Sequence, residues 1–283
     1  MAAPADPKRR RAGALLWELG VLGAVGLLLA FLGLPLLSLL LHVPPRALWA
    51  RLRAPASLTA LRLSLETSVL ATAVVVALGL PTAYVLATRR FRGRRVLEVL
   101  VELPMVLPPT VAGLGLLLAF GRAGLAGRAL GALGLSIPFT TLAVVLAQVF
   151  VSSPFFVSAA TAGLREVDAR YADAAATLRA APGYAFRRVL LPLAFPSVLA
   201  GAAMSWARAL GEFGATIMFA GNLPGRTQTL PLAVYIGLQT DVQTAVALSV
   251  ILLVLSFTLL LGLRYAHRAP LASALARAAG TRR

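Results

Sequence analysis

Two charged residues interrupt an otherwise apolar run: Arg208 and Glu212, in SWARALGEFGATIMF. Four residues apart, they fall on one face of a helix. Either charge alone at the centre of a bilayer costs ~2.5–3.5 kcal/mol on insertion scales, so the two are expected to face the bundle interior or an aqueous cavity, and to pair. Two roles fit them: part of a gate or pathway, together with the neighbouring Phe213, or a buried ion pair that fixes helix packing. Other chemistry is scarce. The chain has no cysteine, which excludes thiolate metal sites and disulfides. Its two histidines, His42 and His267, stand where apolar spans give way to flanking segments, so a surface role is expected and no metal site is assigned. Lys8 is the only lysine and no phosphate-binding G-x-x-x-x-G-K-[ST] loop surrounds it. Neither H-E-x-x-H nor G-x-S-x-G occurs. If the chain works with ATP, a second polypeptide must bind it.

A second group of residues can shape backbone rather than react. In LPMVLPPTVAGLGLLL, Pro104, Pro108 and Pro109 lack amide hydrogens, so the helix around them is expected to kink and free carbonyl groups. In a bilayer such groups must face protein or water, and Thr110 adds a hydroxyl at that level. A pore-lining bend and a packing kink both fit. Gly211, Gly214 and Ala215 give the later run a small-residue face, suited to close packing within the chain or to a seam with a second copy.

The third group lies in a long polar segment, residues 161–193, which includes AGLREVDARYADAAATLRAAPGYAFRRVLLP. Leu164, Val167, Tyr171, Ala174, Ala175 and Leu178 recur at helical spacing, with Arg165, Asp168, Arg170, Asp173 and Arg179 on other faces. Pro182-Gly183 is expected to break that helix. An amphipathic helix of this kind could dock in a groove of a partner or rest on the lipid interface.

What positions these residues is a set of apolar spans. Hydrophobic residues make up 59% of the chain and charged ones only 13%, about half the charged share of a soluble domain. Six stretches are long enough to cross hydrocarbon as helices: about 14–41, 67–88, 97–120, 138–160, 194–219 and 244–265. The first could tilt or break at Pro35. It is too long for a cleavable signal peptide. No segment alternates with period two, so the expected fold is all-α and membrane-integral, not a β-barrel. The net charge of +17 would suggest nucleic acid in a soluble protein. Here nineteen Lys and Arg flank the spans on one side, seven lie on the other, and the last is Arg208. That bias places both termini in the cytoplasm and leaves no need for nucleic acid. The expected organisation is a cytoplasmic tail at 1–12, one transmembrane domain at 13–269 and a cytoplasmic tail at 270–283, both tails mobile.

The polar segment resembles the cytoplasmic loop of ABC importer permeases, patterned E-A-A, three residues, G, then I-x-L-P. Asp173-Ala174-Ala175 stands where E-A-A is expected, Leu190-Leu191-Pro192 matches the close, and Arg179 replaces the glycine. LPMVLPPTVAGLGLLL and RALGEFGATIMFAGNLPGRTQTLPLAVY are similar to the molybdate-type permeases among the oxyanion importers, with tungstate and sulfate permeases as near relatives. The resemblance covers about residues 60–265. It implies a type I ABC importer permease fold working by alternating access. It also implies a homodimer, two ATPase subunits inside that hold ATP and Mg, and an oxyanion-binding protein outside. No cofactor would sit on this chain. Tyr171, Asp173, Ala174, Ala175, Leu178, Arg179, Gly183, Leu191 and Pro192 would form the ATPase-coupling loop, and Pro108, Pro109, Thr110, Arg208, Glu212 and Phe213 the pore or gate. A stand-alone channel or a proton-coupled carrier is the reading from another class; it requires a titratable relay, and only Glu212 is a deep acid.

Overall fold

The computed structural model describes residues 7–42 and 44–280, all-helical with no strand among them. The chain divides into two compact units, Met1–Ala50 and Arg51–Arg283. In the first, α1 (Pro7–His42) is one unbroken helix, and it runs straight through Pro35. Its apolar stretch Trp17–His42 exposes Trp17, Leu27 and Phe31 alike, as expected of a helix whose solvent is hydrocarbon. The short α2 (Pro45–Leu52) follows it.

The second unit holds α3 (Pro55–Thr88), α4 (Arg94–Val106), α5 (Pro109–Phe120), α6 (Gly127–Ala132), α7 (Thr141–Glu166), α8 (Ala169–Thr177), α9 (Pro182–Ala185), α10 (Leu191–Leu210), α11 (Gly214–Ala220), α12 (Leu230–Thr240) and α13 (Val242–Gly280). A π-helical turn, Phe186–Leu190, joins α9 to α10. Among the described residues five helical stretches are long and apolar enough to cross a membrane, and six if the bent pair α4–α5 is one span. Helix continues through residues 7–12 and 270–280; residues 1–6 and 281–283 of the expected tails lie outside the described residues.

α7 is the centre of this unit and packs on both α3 and α10. Glycines bring the helices close, as they do where lipid gives no hydrophobic drive between helices. A Cβ on Gly79 would stand 2.7 Å from the Phe156 ring, and one on Gly163 would stand 2.2 Å from Ser197 Cβ. Val75, Ala83, Phe156, Val157, Ala160, Ala194 and Val198 fill one core, between α3, α7 and α10. Hydroxyls of α3 bind its neighbours: Trp206 Nε1 donates to Ser68 Oγ (2.9 Å) and Leu230 N to Ser64 Oγ (2.7 Å). The latter bond and the burial of Leu230 and Leu232 set α12 against α3 and α13.

Candidate functional site

The third span is sharply broken, with α4 and α5 meeting at 116°. The cause is local. A residue before proline is driven out of the helical region, and here two successive residues precede prolines. Leu107 (ψ 133°) and Pro108 (ψ 133°) are both extended, and Pro109 opens α5 at the position where a missing amide hydrogen costs nothing. The fifth span is also divided: α10 ends at Leu210, and Gly211, Glu212 and Phe213 separate it from α11. Glu212 is therefore not inside the helix that carries Arg208, as the spacing had suggested, but just beyond its end.

The two breaks lie side by side. A Cβ on Gly214 would stand 2.7 Å from Pro109 Cβ, and one on Gly113 would stand 2.6 Å from the carbonyl oxygen of Ala215. α5 and α11 thus run together, sealed by Ala112, Leu116, Ala215 and Phe219. This intramolecular contact consumes Gly214 and Ala215 of the small-residue face and leaves Gly211 exposed.

Glu212 holds the second break together. It is 1% exposed, and Oε2 lies 2.8 Å from Arg208 Nη1, within ion-pair distance though not aligned as a hydrogen bond. Its Oε1 accepts from Ala215 N at 2.7 Å, which caps the first turn of α11 with a negative charge where the helix dipole favours one. Phe213 packs against Tyr235 of α12 with the rings tilted and their centres 5.2 Å apart. Pro108, Pro109 and Thr110 are exposed. The structure thus brings the six residues of the expected pore or gate into one neighbourhood, in two roles: proline and threonine on an open face, the ion pair as an internal strut.

At the other end of α7, the expected docking segment takes shape. Arg165 Nη2 donates to Glu98 Oε1 (2.5 Å) and to Leu86 O (3.2 Å), and Arg94 Nε reaches the same carboxylate oxygen at 3.2 Å. The end of α7 is thereby fixed to α3 and α4. Leu164 belongs to α7 and is buried there. Asp168 then accepts from Arg170 N (2.9 Å) and starts α8. Ala175 is buried, while Tyr171, Asp173, Ala174 and Leu178 are exposed, Leu178 at 83%.

The turn ending α8 falls at Arg179, not at Pro182-Gly183. Arg179 has φ 55°, in the left-handed region. Ala180 N donates to Ala175 O (3.0 Å), the six-to-one bond that closes a helix through a left-handed residue, a position usually taken by glycine. Pro182 instead opens α9, with Ala181 extended before it (ψ 144°), and Gly183 lies inside that helix. The π-helical turn follows, Leu191 N donating to Phe186 O, and Pro192 sits in the first turn of α10. The left-handed Arg179 was not foreseen; the arginine standing at a glycine position was its only signal.

Against known proteins, residues 75–271 match the family of the binding-protein-dependent transport system inner membrane component. The molybdenum transport system permease protein ModB of Mycobacterium tuberculosis is 48% identical over 234 residues, 83% of this chain and 89% of that protein. The probable sulfate transport system permease protein cysT of Nephroselmis olivacea is 35% identical over 213 residues, 75% of each chain. In fold, the chain resembles the crystal structure of a bacterial alginate ABC transporter in complex with an alginate pentasaccharide-bound periplasmic protein. That match has a TM-score of 0.71 at 16% identity, over 93% of this chain and 96% of the other.

Proposed function

The chain belongs to the family of binding-protein-dependent transport system inner membrane components, and from that premise we propose that it is the permease subunit of an ATP-driven importer of molybdate. It is a multi-pass membrane protein. The substrate assignment draws on the higher identity to the molybdenum permease than to the sulfate permease. The charge bias of the loops supports both termini in the cytoplasm, which puts α8 inside and the C-terminal end of α5 outside.

The observation that carries the coupled mechanism is α8. It is a short capped helix whose inner side is held by Ala175 and whose outer side offers Tyr171 and Leu178 uncovered. An ATPase subunit, holding ATP and Mg, seats this helix; the chain itself has no phosphate-binding loop. Two copies of the chain meet along the face that carries Val99, Leu100 and Val106 of α4 and Leu118 of α5, all exposed. Pro108, Pro109 and Thr110 then border the pore between them. Closure of the ATPases moves α8, the π-helical turn and α10 as one lever, and the paired breaks yield because helix continuity is already absent there. A periplasmic binding protein delivers the anion from outside.

Reconstitution tests this. Proteoliposomes holding the chain, its ATPase and its binding protein should accumulate molybdate with ATP, and not when either partner is omitted. Uptake indifferent to ATP would favour a channel or carrier, and preference for sulfate would move the substrate alone.

A further inference from the structure

The end of the bundle opposite α8 carries a cavity with arginines in its wall, apart from the paired breaks. It has a volume of about 620 Å³, and Gly121, Arg122, Ser136, Thr140 and Arg226 line it. Arg122 is shared with an adjoining cavity of about 370 Å³ that also contains Arg128. Glu66 is engaged with Arg62, and Asp241 with Arg51. The guanidinium groups of Arg122, Arg128 and Arg226 form no ion pair or hydrogen bond among the described residues.

The two arginines that face the larger cavity are presented by stiff backbone. Arg226 sits in a turn in which Leu223 O accepts from Arg226 N, Thr227 N and Gln228 N, and the buried Thr227 hydroxyl accepts from Leu223 N (2.9 Å). Thr141 Oγ1 donates to Arg226 O at 2.9 Å, which ties that turn to the start of α7. Arg122 follows Gly121, whose N donates to Leu117 O at 2.7 Å and whose O accepts from Gly124 N at 2.7 Å. Between them Phe139 is held at φ 61°, and a Cβ on Gly221 would stand 3.0 Å from its ring. A bulky residue in the left-handed region is strained, and such strain collects at sites where geometry is over-determined.

The geometry points to a weak oxyanion-binding vestibule, in which Arg122 and Arg226, with the hydroxyl of Ser136, take the tetrahedral anion on its way to the paired breaks; the Thr140 hydroxyl is engaged with Ile137 O and in capping α7. This rests on the oxyanion-permease reading. Arginine suits the task because its planar fork of donors matches oxyanion geometry. Positive charge in a concave, low-dielectric wall concentrates anions. Binding must stay weak, since a pathway site has to release what it takes.

The test uses the assembled transporter. The double variant Arg122→Gln/Arg226→Gln should take up molybdate about tenfold more slowly, while Arg122→Lys/Arg226→Lys keeps most of the rate. Affinity of the complex for the molybdate-loaded binding protein should not change. In calorimetric titration of the solubilised complex with molybdate, the wild type should bind in the millimolar range and the glutamine pair should not. Wild-type uptake by the glutamine pair would overturn the vestibule. So would a matching loss of binding-protein affinity, which would make the arginines a docking surface. If the wild type itself shows no ATP-driven uptake, the transport reading fails, and the titration still decides the anion site.

Discussion

The paired break and α8 are both interruptions of long helices, yet they are built in opposite ways. The break is finished from within. Two glycines allow the close approach, a buried carboxylate caps α11 and pairs with its arginine, and the surrounding core is closed. α8 is finished on one side only. Its cap and Ala175 hold it, while Tyr171 and Leu178 have nothing over them and Arg179 carries strain. The difference separates two tasks: the break must keep one geometry under load, and α8 must present a surface that another chain completes.

The contrast can be broken most strongly at Arg208. Arg208→Ala leaves Glu212 buried without its counter-charge and should cost about 3–5 kcal/mol, read as a drop in thermal stability of the purified protein. Glu212→Gln should cost less, because its amide oxygen can still accept from Ala215 N. Next, Gly113→Ala drives a methyl group into the Ala215 backbone, and overpacking of that kind costs about 1–3 kcal/mol. Gly115→Ala, on the same helix with nothing within 4 Å, should be neutral or slightly stabilising.

At α8 the sign reverses. Arg179→Gly relieves a left-handed side chain and should raise local stability by roughly 1 kcal/mol, measured as slower amide exchange in α8. The smallest effect is expected at Asp241, outside the spans. The Thr244 hydroxyl first, and then Arg51, pull its carboxyl from the usual 3.8 down to about 2. Because the folded value is depressed, this stabilisation is complete above pH ~4 and is lost as pH falls toward 2. Asp241→Asn should therefore flatten the fall in melting temperature across that window, and an unchanged fall would remove the assignment.

The spans were legible because lipid leaves a long apolar run as its record, and the break at Pro108-Pro109 because two pre-proline residues have little choice of backbone. The 116° bend and the meeting of Gly113 with Ala215 were not legible. Pre-proline preference sets the place of the bend but not its angle, and the Gly113–Ala215 contact joins segments about a hundred residues apart, which local pattern does not link. Glu212 was recognised as the partner of Arg208, but its capping of α11 required knowing that α10 stops at Leu210. At α8 the turn was placed at Pro182-Gly183 on residue preference. Proline at the start of a helix is equally well suited, and the turn fell on Arg179 because the helix-closing hydrogen bond from Ala180 demanded a left-handed residue there.

The most direct test of the account is molybdate uptake by Ala175→Pro in proteoliposomes containing the ATPase and binding protein. Proline there removes a backbone bond of α8 and costs about 3 kcal/mol or more within a helix, but touches none of the spans. The account predicts that the variant inserts normally and that ATP no longer drives molybdate into the vesicles. ATP-driven uptake at the wild-type rate would contradict it.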